Sequence, residues 1–463
     1  MYQIDFQKPI HVHFIGIGGI SMSGLAEILL SKRFPVSGSD SKASELTRHL
    51  EQLGARVLIG QSAANISDDT ELIVYTAAIS ADNPEFREAK RRELPMLTRA
   101  QFLGQLMKNY RTPINIAGTH GKTTTTSMVS EILIHAGCDP TLSVGGILKS
   151  IGGNLRIGHS EYFVAEACEY TNSYHSFFPR ISLILNIEED HMDFFKDIHD
   201  IRASFRTFME LLPEDGALII NGTIDNVGEL TDGLACPVIR YGDDASCDYY
   251  PADIRYDEMG RGSYTLHHRL ADGTEETAEV ALGVVGRHNI YNSMAAIALA
   301  DHLGIGREHT LAALRAFTGT DRRFEKKGEI GGITILDDYA HHPTEIRATL
   351  TAAQHYPHKK IWCVFQPHTY TRTKAFLDEF ADALSLADAV ILTDIYAARE
   401  QNTIGITSRD LLAKLEKKKC ETHYFSYFDD IENYLLLHAL PGDVIITMGA
   451  GDVVQIGEHL LGR

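Results

Sequence analysis

Residues 113–137 read PINIAGTHGKTTTTSMVSEILIHAG: an apolar β-rich run, a turn bounded by Gly118 and Gly121, and a helical pattern that opens near Lys122. A strand that ends in glycines and passes straight into a helix builds a parallel α/β sheet with a ligand site at its carboxyl edge. Phosphate oxygens need several donors at close range. The glycines let backbone N–H groups approach, and the helix N-terminus adds a favourable dipole. Lys122 is placed to reach β and γ phosphates, and the Thr123 hydroxyl to ligate Mg²⁺. The longer form of this pattern has a glycine five residues before Gly121, where Ile116 stands, so the loop is a shortened one.

Two β-rich runs follow. FVAEACEY (163–170) brings Glu166 and Glu169 to a strand end, and LILNIEEDHMD (183–193) brings Asn186, Asp190, His191 and Asp193 to another. In a parallel sheet these ends share the edge that carries the phosphate loop. One acidic residue after a strand is usually a helix cap. Two clusters on that edge favour metal ligation. No lysine occurs between Lys196 and Lys326, so that stretch supplies no lysine-derived group to the site.

On the N-terminal side, β-rich runs alternate with helical patterns from His11 to Tyr110, as in βαβ units. GIGGISMSG (16–24) follows the first strand and opens a helix. Gly16 and Gly18 match the start of G-x-G-x-x-G, the third glycine is replaced by Ser21, and Asp40 stands where a ribose-binding acid is expected. A dinucleotide, another nucleotide diphosphate and a structural turn all fit this loop.

On the C-terminal side, residues 237–285 have the short strands and turns of an antiparallel meander. Two helical patterns (288–304 and 307–317) complete that unit. A third α/β unit begins near Thr320. It holds RRFE (322–325), LDDYAHHPTEI (336–346) and FQPHTYTRTK (365–374), which set Asp337, Asp338, Tyr339, His341, His342, His368, Tyr370 and Arg372 near strand ends. Together they predict a domain that closes over a ligand. The expected architecture is α/β in three domains: a Rossmann-like unit at 1–111, a central P-loop ATPase unit with an added antiparallel sheet at 112–319, and a second Rossmann-like unit at 320–463.

Length agrees, since 463 residues suggest about three domains. The formal charge of −19 argues against non-specific nucleic-acid binding, which needs a basic surface. No run approaches the roughly 20 apolar residues of a membrane span. The six cysteines show no CxxC or zinc-ligand spacing, as expected of reduced thiols in the cytoplasm.

GTHGKTTTT resembles the loop shared by the ATP-dependent Mur ligases of peptidoglycan synthesis. GIGGISMSGLAE, GSD, RRFE, DDYAHHPTEI, FQPHTYTRTK and MGAGD are similar to the branch that adds L-alanine. This resemblance spans essentially the whole chain. It implies UDP-N-acetylmuramate and L-alanine as substrates, ATP and Mg²⁺ as cofactors, and a monomer or weak homodimer. Gly118, Thr119, His120, Gly121, Lys122, Thr123 and Thr124 are implied to hold ATP phosphates, with His288, Asn289 and Asn292 on the nucleotide. Thr123, Glu166 and His191 are implied metal ligands, and Arg323 the arginine carried by the moving third domain. Gly18, Gly19, Ser21, Met22, Ser23, Asp40 and the segment from Thr76 to Ile79 are implied around the UDP-sugar. Tyr339, His341, His368 and Arg372 resemble the amino-acid side.

The chain departs from that pattern in places. Cys168 and Tyr170 replace polar residues of an acidic EADESD stretch, and Thr369 stands where many relatives carry arginine. Sister ligases use a carbamylated lysine that the lysine-free stretch cannot provide, in keeping with the alanine-adding branch. A sister that attaches a recycled tripeptide would share the ATP motifs. An NAD-dependent oxidoreductase would explain GIGGIS but leave GTHGKTT without a purpose, and a nucleotide switch would leave the third unit's Arg, His and Tyr cluster without one.

Overall fold

Short apolar runs become strands buried on both faces, as at Val12–Ile15 and Ile181–Ile184. The computed structural model describes residues 2–76, 78–270, 272–398 and 400–463. Five parallel strands form the first sheet: β1 (Val12–Ile15), β2 (Val36–Asp40), β3 (Arg56–Ile59), β4 (Leu72–Tyr75) and β5 (Met96–Thr98), in the order β3-β2-β1-β4-β5. The helix Ile20–Ser31 starts directly after the GIGG turn.

The second sheet has ten strands. They are β6 (Thr112–Ala117), β7 (Thr141–Leu148), β8 (Gly153–Arg156), β9 (Tyr162–Ala167), β10 (Ile181–Ile184), β11 (Ala217–Asn221), β12 (Val238–Tyr241), β13 (Tyr249–Tyr256), β14 (Arg261–Arg269) and β15 (Glu275–Val285). Their order is β15-β14-β13-β12-β11-β10-β6-β9-β7-β8. The phosphate-loop strand β6 thus lies between β10 and β9, parallel to both, so their carboxyl ends meet on one edge. The expected meander is present as the antiparallel pairs β13/β14 and β14/β15. The hairpin β7/β8, rich in glycine and weak in alternation, adds an edge the sequence pattern did not suggest.

The third sheet contains β16 (Glu325–Ile330), β17 (Ile333–Asp338), β18 (Ile361–Phe365), β19 (Ala389–Leu392), β20 (Glu421–Tyr424) and β21 (Val444–Met448) in the order β16-β17-β21-β18-β19-β20. All pairs are parallel except β16/β17. The extra strand, EKKGEI, escapes an apolar-pattern reading because it is an edge strand protected by charge.

The units join differently. Val12 and Phe14 of the first sheet share a buried cluster with Phe163 and Phe205 of the second, and Tyr110 packs on Phe163 with ring centroids 4.9 Å apart. Gly104, in the helix Arg99–Met107, lies so near the Ser176 carbonyl that a Cβ there would stand 1.9 Å from it. That junction is apolar and close-packed. The buried clusters of the third unit, among the described residues, draw only on residues of that unit; its contacts with the second include polar bonds and the stack of His355 on Tyr256, with ring centroids 5.1 Å apart.

Candidate functional site: a phosphate loop facing the third sheet

Gly118 and Gly121 take φ of 145° and 82°, values that suit glycine and shape the turn between β6 and the helix Lys122–His135. Space is short as well, since a Cβ on Gly121 would lie 2.8 Å from Asn292 Oδ1. The Asn186 side chain pins the turn by accepting from the His120 N–H at 2.7 Å and donating to its carbonyl at 3.0 Å. The Thr119 hydroxyl accepts from the Glu188 N–H. Lys122 Nζ donates to the Gly118 and Thr119 carbonyls and to Glu169 Oε2 at 3.0 Å. Burial disfavours its charge, but Glu169 and its neighbours outweigh that and raise its pKa, so it is a fixed cation.

Glu166 ends β9 beside the loop. Its carboxylate accepts from the Gly145 N–H at 2.6 Å and from the Thr123 hydroxyl at 3.2 Å. Burial raises its pKa despite these bonds and nearby Lys122 and Arg323. A half-buried carboxylate so disposed, next to a hydroxyl, fits a hard divalent cation such as Mg²⁺. His191, at φ 55°, stacks on Tyr170 with ring centroids 4.6 Å apart, its Nε2 3.7 Å from Glu169. Tyr170, which departs from the family pattern, here supports the histidine and donates to Asp193.

A cavity of about 600 Å³ opens from the loop between the second and third sheets. His120, Gly121, Thr124, His288, Asn289, Asn292 and Arg323 line it, together with Asp338 and Glu345. The helix His288–His302 starts at this wall, where Asn292 donates to Asn289, which in turn holds the Val285 carbonyl. Burial and the nearby Arg323 push His288 down to about 4, so it is neutral.

From the third unit, Tyr339, His341, His368 and Arg372 lie side by side, the Tyr339 and His341 rings 5.5 Å apart. The His341 and His368 rings lie 5.7 Å apart, and Arg372 Nη1 is 3.2 Å from His368 Nδ1. Burial pushes both histidines down to about 4, leaving neutral rings. The two adjacent arginines divide their work. Arg322 donates to Asp337 and to the carbonyls of Gly449 and Gly451 within its own unit, whereas Arg323 faces the cavity, 3.8 Å from Glu345.

Glu345, within the DDYAHHPTEI motif, is a further residue of the site that its sequence position alone does not single out. Its Oε2 accepts from the His341 and His342 N–H groups, and its Oε1 lies 3.3 Å from His120 Nδ1. Burial opposes its charge, but His341, His120 and Arg323 hold its pKa well below the usual range. Arg99 is another such residue. It caps no obvious motif, yet it donates to Ser21 of the N-terminal loop at 3.1 Å and lies within electrostatic reach of Cys168, beside Glu169.

In the N-terminal loop, Asp40 accepts from the Gly18 N–H at 2.9 Å and so fixes the turn. Gly19 and Ser21 are exposed, Met22 and Ser23 are buried in the helix, and Thr76 touches the space over Gly16. Of the segment from Thr76 to Ile79, Ala77 lies outside the described residues.

A phosphate loop whose sheet edge carries a metal-type carboxylate, roofed by a separate α/β unit bearing arginine and histidine, defines an ATP-dependent ligase class rather than a dehydrogenase. Comparison with known proteins agrees. Residues 11–111 match the model "Mur ligase family, catalytic domain", residues 116–300 "Mur ligase middle domain" and residues 322–451 "Mur ligase, glutamate ligase domain". The chain belongs to the Mur ligase family. It is 60% identical over 462 residues to the UDP-N-acetylmuramate--L-alanine ligase of Lachnospira eligens and 59% identical over 461 residues to that of Agathobacter rectalis, with 100% of each chain covered in both. The crystal structure of UDP-N-acetylmuramate-alanine ligase from Thermotoga maritima is similar at 28% identity with a TM-score of 0.80, over 98% of this chain and 99% of that one. A murein peptide ligase from Psychrobacter arcticus follows at 27% identity and a TM-score of 0.71, over 98% of each.

Proposed function

We propose that this protein joins L-alanine to the lactyl carboxylate of UDP-N-acetylmuramate, with hydrolysis of ATP to ADP and phosphate, in peptidoglycan precursor synthesis. The supporting observation is a chain of neighbours across the two units: Arg323, which lines the cavity, lies within electrostatic reach of Glu166 beside Lys122 and 3.8 Å from Glu345, and Glu345 lies 3.4 Å from His341, next to His368 and Arg372.

A carboxylate is a poor electrophile and must be activated. One carboxylate oxygen attacks the γ-phosphorus of ATP, ADP leaves, and an acyl phosphate forms. The alanine nitrogen then attacks the acyl carbon, phosphate departs, and the amine gives up a proton. The first step brings two anions together, and a like-charge pair at 4 Å costs about 4 kcal/mol at an effective dielectric of 20. Lys122 and Arg323 offset that repulsion and stabilise the transferring group. Mg²⁺ held by Thr123 and Glu166, and a second metal ion held by His191, would supply further neutralisation of phosphate charge. His288, Asn289 and Asn292 hold the nucleotide, and Gly118 to Thr124 cradle its phosphates. Gly18, Gly19, Ser21, Met22, Ser23, Asp40 and Thr76 take the UDP-sugar, with Arg99 added beside Ser21. Tyr339, His341, His368 and Arg372 receive the amino acid. The junction of the third unit, which shares no buried apolar cluster with the second among the described residues, suits a closing motion.

We assign the three reactants to domains at 1–111, 112–319 and 320–463. We assign the protein to the cytoplasm as a monomer or weak homodimer; among the described residues no helix is long and apolar enough to cross a membrane. The test is phosphate release with ATP, Mg²⁺ and UDP-N-acetylmuramate, comparing L-alanine with the recycled tripeptide as acceptor. Release dependent on L-alanine is expected, and a preference for the tripeptide overturns the assignment.

A further inference from the structure

The ligase reading places His120 in the phosphate loop but gives Glu188 and His342, which meet it, no task. His120 of the phosphate loop, Glu188 after β10 and His342 at the start of the helix Pro343–Ala353 each present one ligating atom, all within 4.8 Å of one another. His120 Nε2 is shut off from solvent and has no hydrogen-bond partner, with Glu188 Oε2 3.5 Å away. Its other ring nitrogen lies 3.3 Å from the Glu345 carboxylate. Burial opposes its charge, but Glu188 and Glu345 raise the His120 pKa to about 9, so the free ring carries a proton on each nitrogen; a metal ion takes the place of the proton on Nε2, with the Glu345 carboxylate holding Nδ1–H behind it.

The remaining ligands are supported in the same manner. Glu188 Oε2 accepts from the Thr344 hydroxyl at 2.7 Å. His342 Nε2 bonds the Glu189 carbonyl at 3.1 Å, and its Nδ1 receives only a long 3.3 Å bond from the Thr344 N–H. Burial keeps the His342 ring neutral, its pKa pushed down to about 4.

We propose that His120, Glu188 and His342 form a binding site for one Zn²⁺-class divalent ion that ties the phosphate loop to the third unit. Two imidazoles and one carboxylate are a donor set for zinc rather than for magnesium, which takes oxygen ligands. Metal–ligand distances near 2.1 Å set tetrahedral ligands about 3.4 Å apart. The widest pair therefore closes by roughly 1.4 Å, a movement of side-chain rotation. The site differs from the one at Glu166 in its ligands and in joining two units. His120 and Glu188 also line the nucleotide cavity, so the ion sits at its wall.

The test uses the full-length protein without substrates, titrated with Zn²⁺ in excess Mg²⁺ by calorimetry, and with Co²⁺ as a spectroscopic substitute. One ion per chain is expected, with affinity reduced tenfold or more in both Glu188→Gln and His342→Gln. Glutamine at 188 keeps an acceptor for Thr344, so that arm stands even if loss of the His342 cap harms folding. His159→Gln, which alters an exposed histidine elsewhere, should bind as the wild type does. No bound ion, equal affinity in the Glu188 variant, or a thiolate charge-transfer band in the Co²⁺ spectrum overturns the proposal.

Discussion

Arg372 of the third unit donates from both Nε and Nη2 to a single carboxylate oxygen of Asp190 in the second, at 3.0 and 2.9 Å. Their side chains are only 9% and 7% exposed. Burial opposes ionisation of Asp190, but Arg372 and the neighbouring histidines keep its pKa far below the usual range, so the pair is charged. It joins the same two units as the Thr344–Glu188 and His342–Glu189 bonds, at the far end of the segment from Glu188 to Asp190.

Removing one partner of such a pair leaves a buried charge behind, at a cost of about 3–5 kcal/mol. Arg372→Ala is expected to loosen the third unit and enlarge the radius of gyration measured by solution scattering, with Asp190→Asn restoring part of the loss. A double-mutant cycle on unfolding should give a coupling above about 1 kcal/mol. Strict additivity would show that the two units are held together elsewhere.

The adjacent arginines should separate by assay. Arg322→Ala leaves the buried Asp337 with only the Thr447 hydroxyl among the described residues and removes the donors to two carbonyls, so it is expected to destabilise the third unit by roughly 2–4 kcal/mol, with little change in KM for ATP in the folded fraction. Arg323→Ala should do the reverse, lowering kcat by about 100-fold or more at an unchanged melting temperature. Thermal unfolding and phosphate release measured on both variants decide the division.

The phosphate loop and the edges of β9 and β10 were legible because short motifs and strand ends carry their own geometry: Lys122, Glu166 and His191 stand where the strand pattern puts them. Glu345 and Arg99 were not, because each gains meaning only from partners distant in sequence, His120 and Ser21 respectively. The same applies to Asp190 and Arg372, singled out separately without any sign that they meet. Strand β16 was hidden by its lysines and glutamates, since charge on an edge strand masks the apolar alternation by which strands are recognised.

Lys122→Ala is expected to lower phosphate release by 100-fold or more, on the scale of losing a preorganised transition-state donor, while UDP-sugar affinity stays within about twofold. Glu166→Ala should raise the half-saturating Mg²⁺ concentration roughly tenfold or more. Both are read by titrating ATP and Mg²⁺ against phosphate release, with UDP-sugar binding by calorimetry as the separate arm. An unchanged metal requirement would exclude Glu166 as a ligand.

Asp338 supplies a test by pH. It is buried at the end of β17, and its carboxylate accepts from the Phe324 and Ala340 N–H groups and the Thr349 hydroxyl. Burial pushes its pKa from 3.8 to about 6, against the pull of Arg323 and those bonds. A carboxyl whose pKa is higher folded than unfolded binds its proton more tightly in the folded state. Its contribution to stability is therefore fully present below about pH 4 and is lost as pH rises through 6. The shift corresponds to a loss on the order of 3 kcal/mol. Asp338→Asn removes the titration and keeps an acceptor oxygen, so the stability difference, variant minus wild type, is expected to rise between pH 4 and 6 and to level off above 7. Urea unfolding at intervals across that range measures it, and a difference that stays flat would mean that Asp338 ionises in the folded protein as easily as in the unfolded chain.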